Sequence, residues 1–301
     1  MPYATKTRYW RCPNRLAGGQ VITPVTAPVG AARLGFGCAR LPGSLSANEA
    51  LTLLEAALDS GVRHFDTAPL YGWGAAEPLL GELARRRRGE MTIVTKAGIA
   101  PPGLAARAIA KLSRAPAHAR FNRFAPAQVR RSLDASLRAL RTDHVEALLL
   151  HEIEPHQMSD ELLRLMQEFK RGGKAAAIGL ATSAEATSTL LRAHPQLFDV
   201  VQLPYGATMP DGVPIVVHSV LTSNVDRMSN RLAHDMAAAR RFEDRTGVSA
   251  GDRRALGELL LREALWRNAG GTVLFSSTRL ETIRRNAQLP AEAPITAELL
   301  T

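Results

Sequence analysis

GVRHFDTAPLYGWGAAEPLLGEL, residues 61–83, passes from a short apolar run through a glycine-broken loop into a helical pattern. RHFDTA (63–68) reads as a buried strand, and Leu79, Leu80 and Leu83 recur at helical spacing after it. Strand, loop and helix in that order form the repeating unit of a parallel α/β fold. Asp66 and Tyr71 stand just past the strand, at the end where parallel barrels carry their chemistry.

The same unit recurs on both sides of this stretch. Strands are expected at 32–37, 63–68, 91–96, 145–151, 175–181, 199–204, 214–219 and 271–276, and eight is the count of a (β/α)8 TIM barrel. Between them ANEALTLLEAALDSG, AAEPLLGELARR, APAQVRRSLDASLRAL, SDELLRLMQEFKRGG and AEATSTLLRAH show apolar residues every three or four positions, and several open with a Ser, Asp or Pro start signal. Two intervals break the rhythm. Residues 97–125, rich in Pro, Ala and Arg, are longer than an ordinary connection and read as a functional loop over the barrel mouth. GATMPDGV (206–213) is too short for a helix that returns to a parallel strand, so the helix after strand six is expected to be shortened or missing. The 301 residues fit a single domain, with 1–31 as an extension that can cap the barrel bottom through QVITPV.

Composition excludes several classes. No apolar run approaches the ~20 residues of a membrane span, and the opening lacks the apolar core of a secretory signal. Cys12 and Cys38 are too few for a disulfide framework and lack metal-ligand spacing, which points to a reducing, cytoplasmic compartment. The net charge of +10 invites a nucleic-acid reading, but Arg85–Arg88 close a helical pattern, where cations meet the negative end of the helix dipole. No nucleic-acid-binding motif accompanies them, so anionic small ligands are the expected partners.

A second pair of polar residues completes a quartet. Lys96 ends TIVTK and His151 ends ALLLH, so Asp66, Tyr71, Lys96 and His151 follow successive strands and can converge on one cavity. A phenol with an ordinary pKa near 10 is a poor acid or base at neutral pH, and a neighbouring ammonium favours its ionised form. Lys96 is expected to supply that field, Asp66 to orient it, and His151 to hydrogen-bond a substrate oxygen. Two other readings stay open: an interior Asp66–Lys96 ion pair with Tyr71 only packing, and a metal-dependent hydrolase using His64, Asp66 and His151.

From about Arg33 to Gln288 the chain resembles the aldo-keto reductase family, most of all its branch of aldose, galactose and pyridoxal dehydrogenases. Asp66 and Tyr71 fall on that family's catalytic aspartate and tyrosine, Lys96 on its lysine and His151 on its histidine. The resemblance implies hydride transfer between a nicotinamide and a carbonyl or alcohol carbon, with Tyr71 moving the proton. The substrate would be a small aldehyde, ketone or sugar, and no metal is called for. It also implies an extended cofactor held without a glycine-rich phosphate loop, and no G-x-G-x-x-G opens a helix after a strand. Ala181 and Thr182 align with the Ser-Asn pair that grips the carboxamide, Gln202 with the neighbouring glutamine, and Tyr205 with the aromatic beneath the ring. Ser219 matches the start of the pyrophosphate turn, Ser277, Thr278 and Arg279 lie near a 2′-phosphate, and Asn286 lies near the adenine. The Arg279 fork favours NADPH, with NADH as the other candidate. Trp73 offers a platform for a sugar or aromatic ring. The changes at 181 and 182 and the lost helix keep a weakly catalytic binding or regulatory protein as an alternative. A monomer or small homo-oligomer is expected.

Overall fold

A computed structural model describes residues 33–100 and 123–289. Eight parallel strands close into a barrel in chain order: β1 (Arg33–Gly37), β2 (His64–Asp66), β3 (Thr92–Ala97), β4 (Val145–His151), β5 (Ala175–Ala181), β6 (Val200–Pro204), β7 (Ile215–His218) and β8 (Thr272–Phe275). β1 pairs with β8 at the seam, with Arg33 opposite Thr272 and Phe36 opposite Phe275. All eight expected strands are present, each within two residues of its sequence bounds. The proposed cap of residues 1–31 and most of the long loop after Lys96 lie outside the described residues.

Strand alternation sorts the apolar residues into two layers. Val94, Ala147, Leu149, Ala177, Val200, Val216 and Leu274 fill the barrel interior. Their sequence neighbours, such as Ile93, Leu148, Val201, Val217 and Val273, join the larger core between sheet and helices. The interior is tight enough to require glycine. A Cβ on Gly35 would stand 2.7 Å from both the His64 ring and Leu274.

Five helices of the outer ring follow the sequence pattern: α1 (Ala47–Asp59), α2 (Ala76–Arg87), α3 (Pro126–Leu140), α4 (Asp160–Arg171) and α5 (Ala184–Ala193). Ser46, Ser159 and Ser183 cap α1, α4 and α5 by accepting a backbone N–H of the first turn. The connection from β6 to β7 has no helix. Tyr205, Ala207, Met209 and Val213 of that loop pack on the core in its place. Three helices then stand between β7 and β8: α6 (Thr222–His234), α7 (Met236–Thr246) and α8 (Arg253–Arg267). α6, α7 and α8 share a small satellite core of Leu232, Phe242 and Leu256. α9 (Leu280–Ala287) follows β8 and packs on α1.

Candidate active site

The face that presents Val94, Leu149, Val200 and Val216 inward lower in the barrel presents Asp66, Lys96, His151, Gln202 and His218 inward at its C-terminal mouth. Polar residues therefore gather where the interior plug ends. Lys96 and Asp66 are almost fully buried, at 1% and 2% exposure, and form an ion pair. Lys96 Nζ donates to both carboxylate oxygens of Asp66, at 2.7 and 2.8 Å, and to the Thr67 carbonyl at 3.0 Å. Burial works against the ammonium, but Asp66 and Tyr71 outweigh it and raise its pKa, so Lys96 stays charged.

Tyr71 is carried by the loop after β2, in a short 3-10 segment whose Gly72 and Trp73 both have positive φ. Gly72 is obligatory: a Cβ there would lie 1.8 Å from the Leu41 carbonyl oxygen. That turn sets the phenol ring over Lys96, with Nζ 4.7 Å from the ring centroid. His151 meets the ring edge-on, at 6.0 Å between centroids and 86° between planes. The quartet expected from sequence is thus assembled. Lys96 acts on the phenol in the expected direction, lowering its pKa, and burial acts against it. Burial pushes the Tyr71 phenol above its ordinary pKa of 10, and Lys96 only partly opposes it, so the ammonium moderates the phenol without ionising it. Behind the quartet, buried Glu77 at the start of α2 accepts a 2.6 Å hydrogen bond from Thr95 Oγ1 on β3. This ties the element that follows Tyr71 to the strand that carries Lys96.

The expected cofactor residues fare unevenly. His151 pairs with Ala181 across β4 and β5, and the β5–β6 register brings Gln202 beside Ala181, so these three form one row across the mouth. Gln202 is 4% exposed and its Oε1 has no hydrogen-bond partner among the described residues, which suits it to accept an amide N–H from a ligand carboxamide. Thr182 is buried and donates its hydroxyl to the Ile153 carbonyl at 2.9 Å. Ser219 is exposed with φ +60°, and its Oγ lies 2.8 Å from His218 Nδ1. Ser277 accepts the Arg279 N–H at 3.1 Å ahead of α9, Thr278 and Arg279 are exposed, and Asn286 is buried within α9. Trp73 is half exposed beside the quartet.

Tyr205, expected beneath a nicotinamide ring, is half-buried and tied through its hydroxyl to the outer layer. Its hydroxyl donates to Glu263 on α8, which is fully buried and also paired with Arg267 at 2.7 Å. Burial and that carboxylate push the phenol pKa well up. With no helix after β6, the Tyr205 ring packs on the core between sheet and helices. The inward position at this rim belongs to His218, which the sequence reading passed over. Its signal was the alternation from Val216, two residues earlier. His218 is half-buried; burial lowers its pKa, and it feels both Asp66 and Lys96. It ends β7 as His151 ends β4, and both histidines precede a non-glycine residue of positive φ, Ser219 and Glu152.

The hydrolase alternative finds no support in the donor geometry. Both Asp66 oxygens face Lys96, and among the described residues no three His, Cys, Asp or Glu side chains are grouped to hold a metal ion.

Several known proteins are similar to this chain. A pyridoxal 4-dehydrogenase of Microbacterium luteolum is 47% identical over 68 residues, 22% of this chain and 20% of that protein. A D-threo-aldose 1-dehydrogenase of a Pseudomonas species is 32% identical over 174 residues, 53% of each chain. The chain thus spans about half or less of the curated relatives it matches. An aldo-keto reductase from Klebsiella pneumoniae in complex with NADPH superposes with a TM-score of 0.63 at 19% identity, covering 88% of this chain and 87% of that one, a likeness of fold. The family model described as Aldo/keto reductase family matches residues 33–298, a span that holds all eight strands and the whole quartet, and the chain therefore belongs to the aldo/keto reductase family.

Proposed function

We propose that the chain is an NAD(P)H-dependent oxidoreductase acting between a nicotinamide and the carbonyl or alcohol group of a small aldehyde, ketone or sugar, with Tyr71 as general acid and base. The observation that carries this reading is the buried Lys96–Asp66 pair beneath the Tyr71 ring, with His151 at the ring edge. When bound, the nicotinamide supplies or accepts the hydride. Tyr71, kept protonated by burial, donates its proton to the carbonyl oxygen in reduction and takes it back from the alcohol in oxidation. Lys96 stabilises the phenolate that each transfer leaves behind, Asp66 holds Lys96 in place, and His151 positions the substrate oxygen. Gln202 accepts from the carboxamide. Thr182, Ser219, Ser277, Thr278, Arg279 and Asn286 line the remaining path of an extended cofactor, taken to be NADPH in preference to NADH. Trp73 borders the substrate.

We take the chain to act as one domain, as a monomer or small homo-oligomer in the cytoplasm, without nucleic-acid or membrane partners. Supporting this, each of Arg85–Arg88 has an internal carboxylate partner: Glu82, Glu55, Asp59 with Glu90, and Glu146. No described helix is long and apolar enough to cross a membrane.

A binding or regulatory protein with weak turnover is the second reading. It is favoured by Ala181, which carries no polar group, and by Thr182, whose hydroxyl is held by the Ile153 carbonyl. Fluorescence titration with NADPH and NADH, followed by aldehyde and sugar turnover in the wild type and Tyr71→Phe, separates the two. The oxidoreductase reading expects binding of a reduced nucleotide and a loss of about 10²-fold or more in kcat for Tyr71→Phe, with Kd unchanged. Binding without turnover favours the second reading. Equal turnover in the variant would defeat the role given to Tyr71.

A further inference from the structure

The segment that carries Tyr71, residues 67–77, is pinned to β3 at both ends. At its entry Thr67 donates its N–H to the Val94 carbonyl at 2.8 Å and accepts from Lys96 Nζ at its own carbonyl. At its exit Glu77, in the first turn of α2, accepts the 2.6 Å hydrogen bond from Thr95 Oγ1. Between the pins the Tyr71 N–H donates to the Ala68 carbonyl and the Ala75 N–H to the Gly72 carbonyl, bonds local to the turn. The entry pin uses the backbone of the segment, whereas the exit pin is made by two side chains and can be removed by substitution. α2 begins without a side-chain cap, in contrast to α1, α4 and α5, and its first-turn acid reaches to β3 instead. One turn later Gly81 sits against α3, where a Cβ would lie 2.2 Å from the Ala139 carbonyl oxygen, so α2 has no room to shift on that side. Glu77 is 5% exposed and Thr95 is fully buried. Burial raises the carboxyl pKa above its ordinary 4.5, against Thr95, Ser136 of α3 and the Lys96 ammonium, all of which favour ionisation. Burying an ionisable group costs free energy that leucine or methionine would not, so packing alone does not account for Glu77. Thr95 and Lys96 are neighbours on β3 that face opposite ways: the hydroxyl meets α2 outside the barrel, and the ammonium meets the Tyr71 ring inside. One stretch of strand therefore sets the phenol's own segment in register with the ammonium beneath it.

We infer that Glu77 is a positioning residue for the reaction: by accepting from Thr95 it holds the Tyr71 turn at the spacing from Lys96 on which proton transfer depends. It acts through Tyr71 and Lys96, not on the substrate. The inference rests on the oxidoreductase reading and adds to it a buried acid which that reading leaves unassigned.

The test compares the full chain as wild type, Glu77→Gln, Glu77→Ala, Thr95→Val and the double variant of Glu77→Ala with Thr95→Val. Single-turnover oxidation of NADPH is followed with the fastest substrate of a panel of benzaldehyde, glyceraldehyde, glucose and galactose, alongside the NADPH Kd and the pH dependence of the reverse reaction. A displacement of about 1 Å at a reacting group costs on the order of 10²-fold, so Glu77→Ala and Thr95→Val are each expected to slow the single turnover about tenfold or more, with Kd within about twofold. Both should also move the pH rise of alcohol oxidation upward, as the phenol loses part of the Lys96 field. Glu77→Gln keeps the accepting oxygen and should retain most of the rate. The double variant should lose no more than the larger single loss, because both substitutions remove one contact. Variants that are less stable but keep the wild-type rate and pH profile would make Glu77 a structural anchor and overturn the inference, as would losses that multiply in the double variant. In both cases the wild type is active and the oxidoreductase reading stands. If Glu77→Ala does not fold, Thr95→Val decides, since it exchanges a hydroxyl for a methyl of the same shape. A wild type that turns over no member of the panel overturns both together.

Discussion

Burial gives Lys96 and Asp66 their leverage on the Tyr71 phenol and makes each of them dangerous alone. A paired charge in the interior is near neutral in stability, but removing one member leaves the other uncompensated, at a cost of about 3–5 kcal/mol. Lys96→Met is therefore expected to lower stability by about that amount, while Lys96→Met combined with Asp66→Leu recovers most of it. Denaturant midpoints check this, and a double variant no more stable than the single one would sink it. Turnover separates the pair's structural and chemical roles, because the double variant restores packing without restoring the ammonium beneath the phenol. The pH dependence follows from the same site. The Tyr71 pKa lies above 10, so the phenol is protonated at neutral pH. Carbonyl reduction should be insensitive to this group from pH 6 to 9, and alcohol oxidation should rise with pH over that range. Loss of Lys96 removes the one large influence that lowers the phenol pKa and should move the rise further up.

Among the elements, the β6–β7 connection shows how a family fold absorbs a deletion. With no helix there, Tyr205 reaches across to Glu263 of α8, and Arg267 takes the other carboxylate oxygen. Tyr205→Phe keeps the ring but removes a donor from a fully buried carboxylate, which should cost about 1–3 kcal/mol and leave NADPH affinity unchanged. A large fall in affinity with unaltered thermal stability would return Tyr205 to the cofactor. This arrangement also marks where the sequence stopped being informative. The strands were legible because Leu148–Leu150, Val200–Val201 and Ile215–Val217 are compact apolar runs between turns, and the quartet was legible because Asp66, Lys96 and His151 close strands and Tyr71 follows Asp66 in the next loop. α6, α7 and α8 were not legible: α6 and α7 bury little, Phe242 being the one buried residue of α7, and α8 buries the charged Glu263 among its leucines, which blurs its apolar face. His218 was hidden at the end of a strand that reads as apolar, and the seam where β1 closes on β8 joins residues more than two hundred positions apart. The bond from Tyr205 to Glu263, fifty-eight positions away, is likewise a tertiary effect that local pattern does not encode.

The whole molecule keeps its chemistry at one end of the barrel and a charged clasp at the other, the division expected of this architecture. At the base, Arg88 donates to the Met91 and His144 carbonyls, to Thr142 Oγ1 and to Glu146. Glu146 also accepts the Ile93 N–H at 2.6 Å, so one arginine and one glutamate join α2 to the starts of β3 and β4. His144 lies between two acids, with Nδ1 2.6 Å from Asp143 and Nε2 3.6 Å from Glu146. Glu146 and Asp143 raise its pKa above 6.5 despite burial and the charge of Arg88. The carboxyl pKa of Glu146 falls below its ordinary 4.5, since His144, Arg88 and the Ile93 N–H outweigh burial. The signs of the two linkages oppose each other. His144, with its folded pKa raised, contributes stability that is complete below pH 6.5 and disappears as pH rises through the folded value. Glu146, with its folded pKa lowered, contributes stability that is complete above pH 4.5 and disappears as pH falls through the folded value. Together they place the clasp's full contribution between about pH 4.5 and 6.5. His144→Gln should therefore be less stable than the wild type at pH 6, by about 1 kcal/mol, with the gap narrowing by pH 9. Urea midpoints at the two pH values read this directly, and a gap that stays constant would show that His144 acts at the base by packing and not by charge.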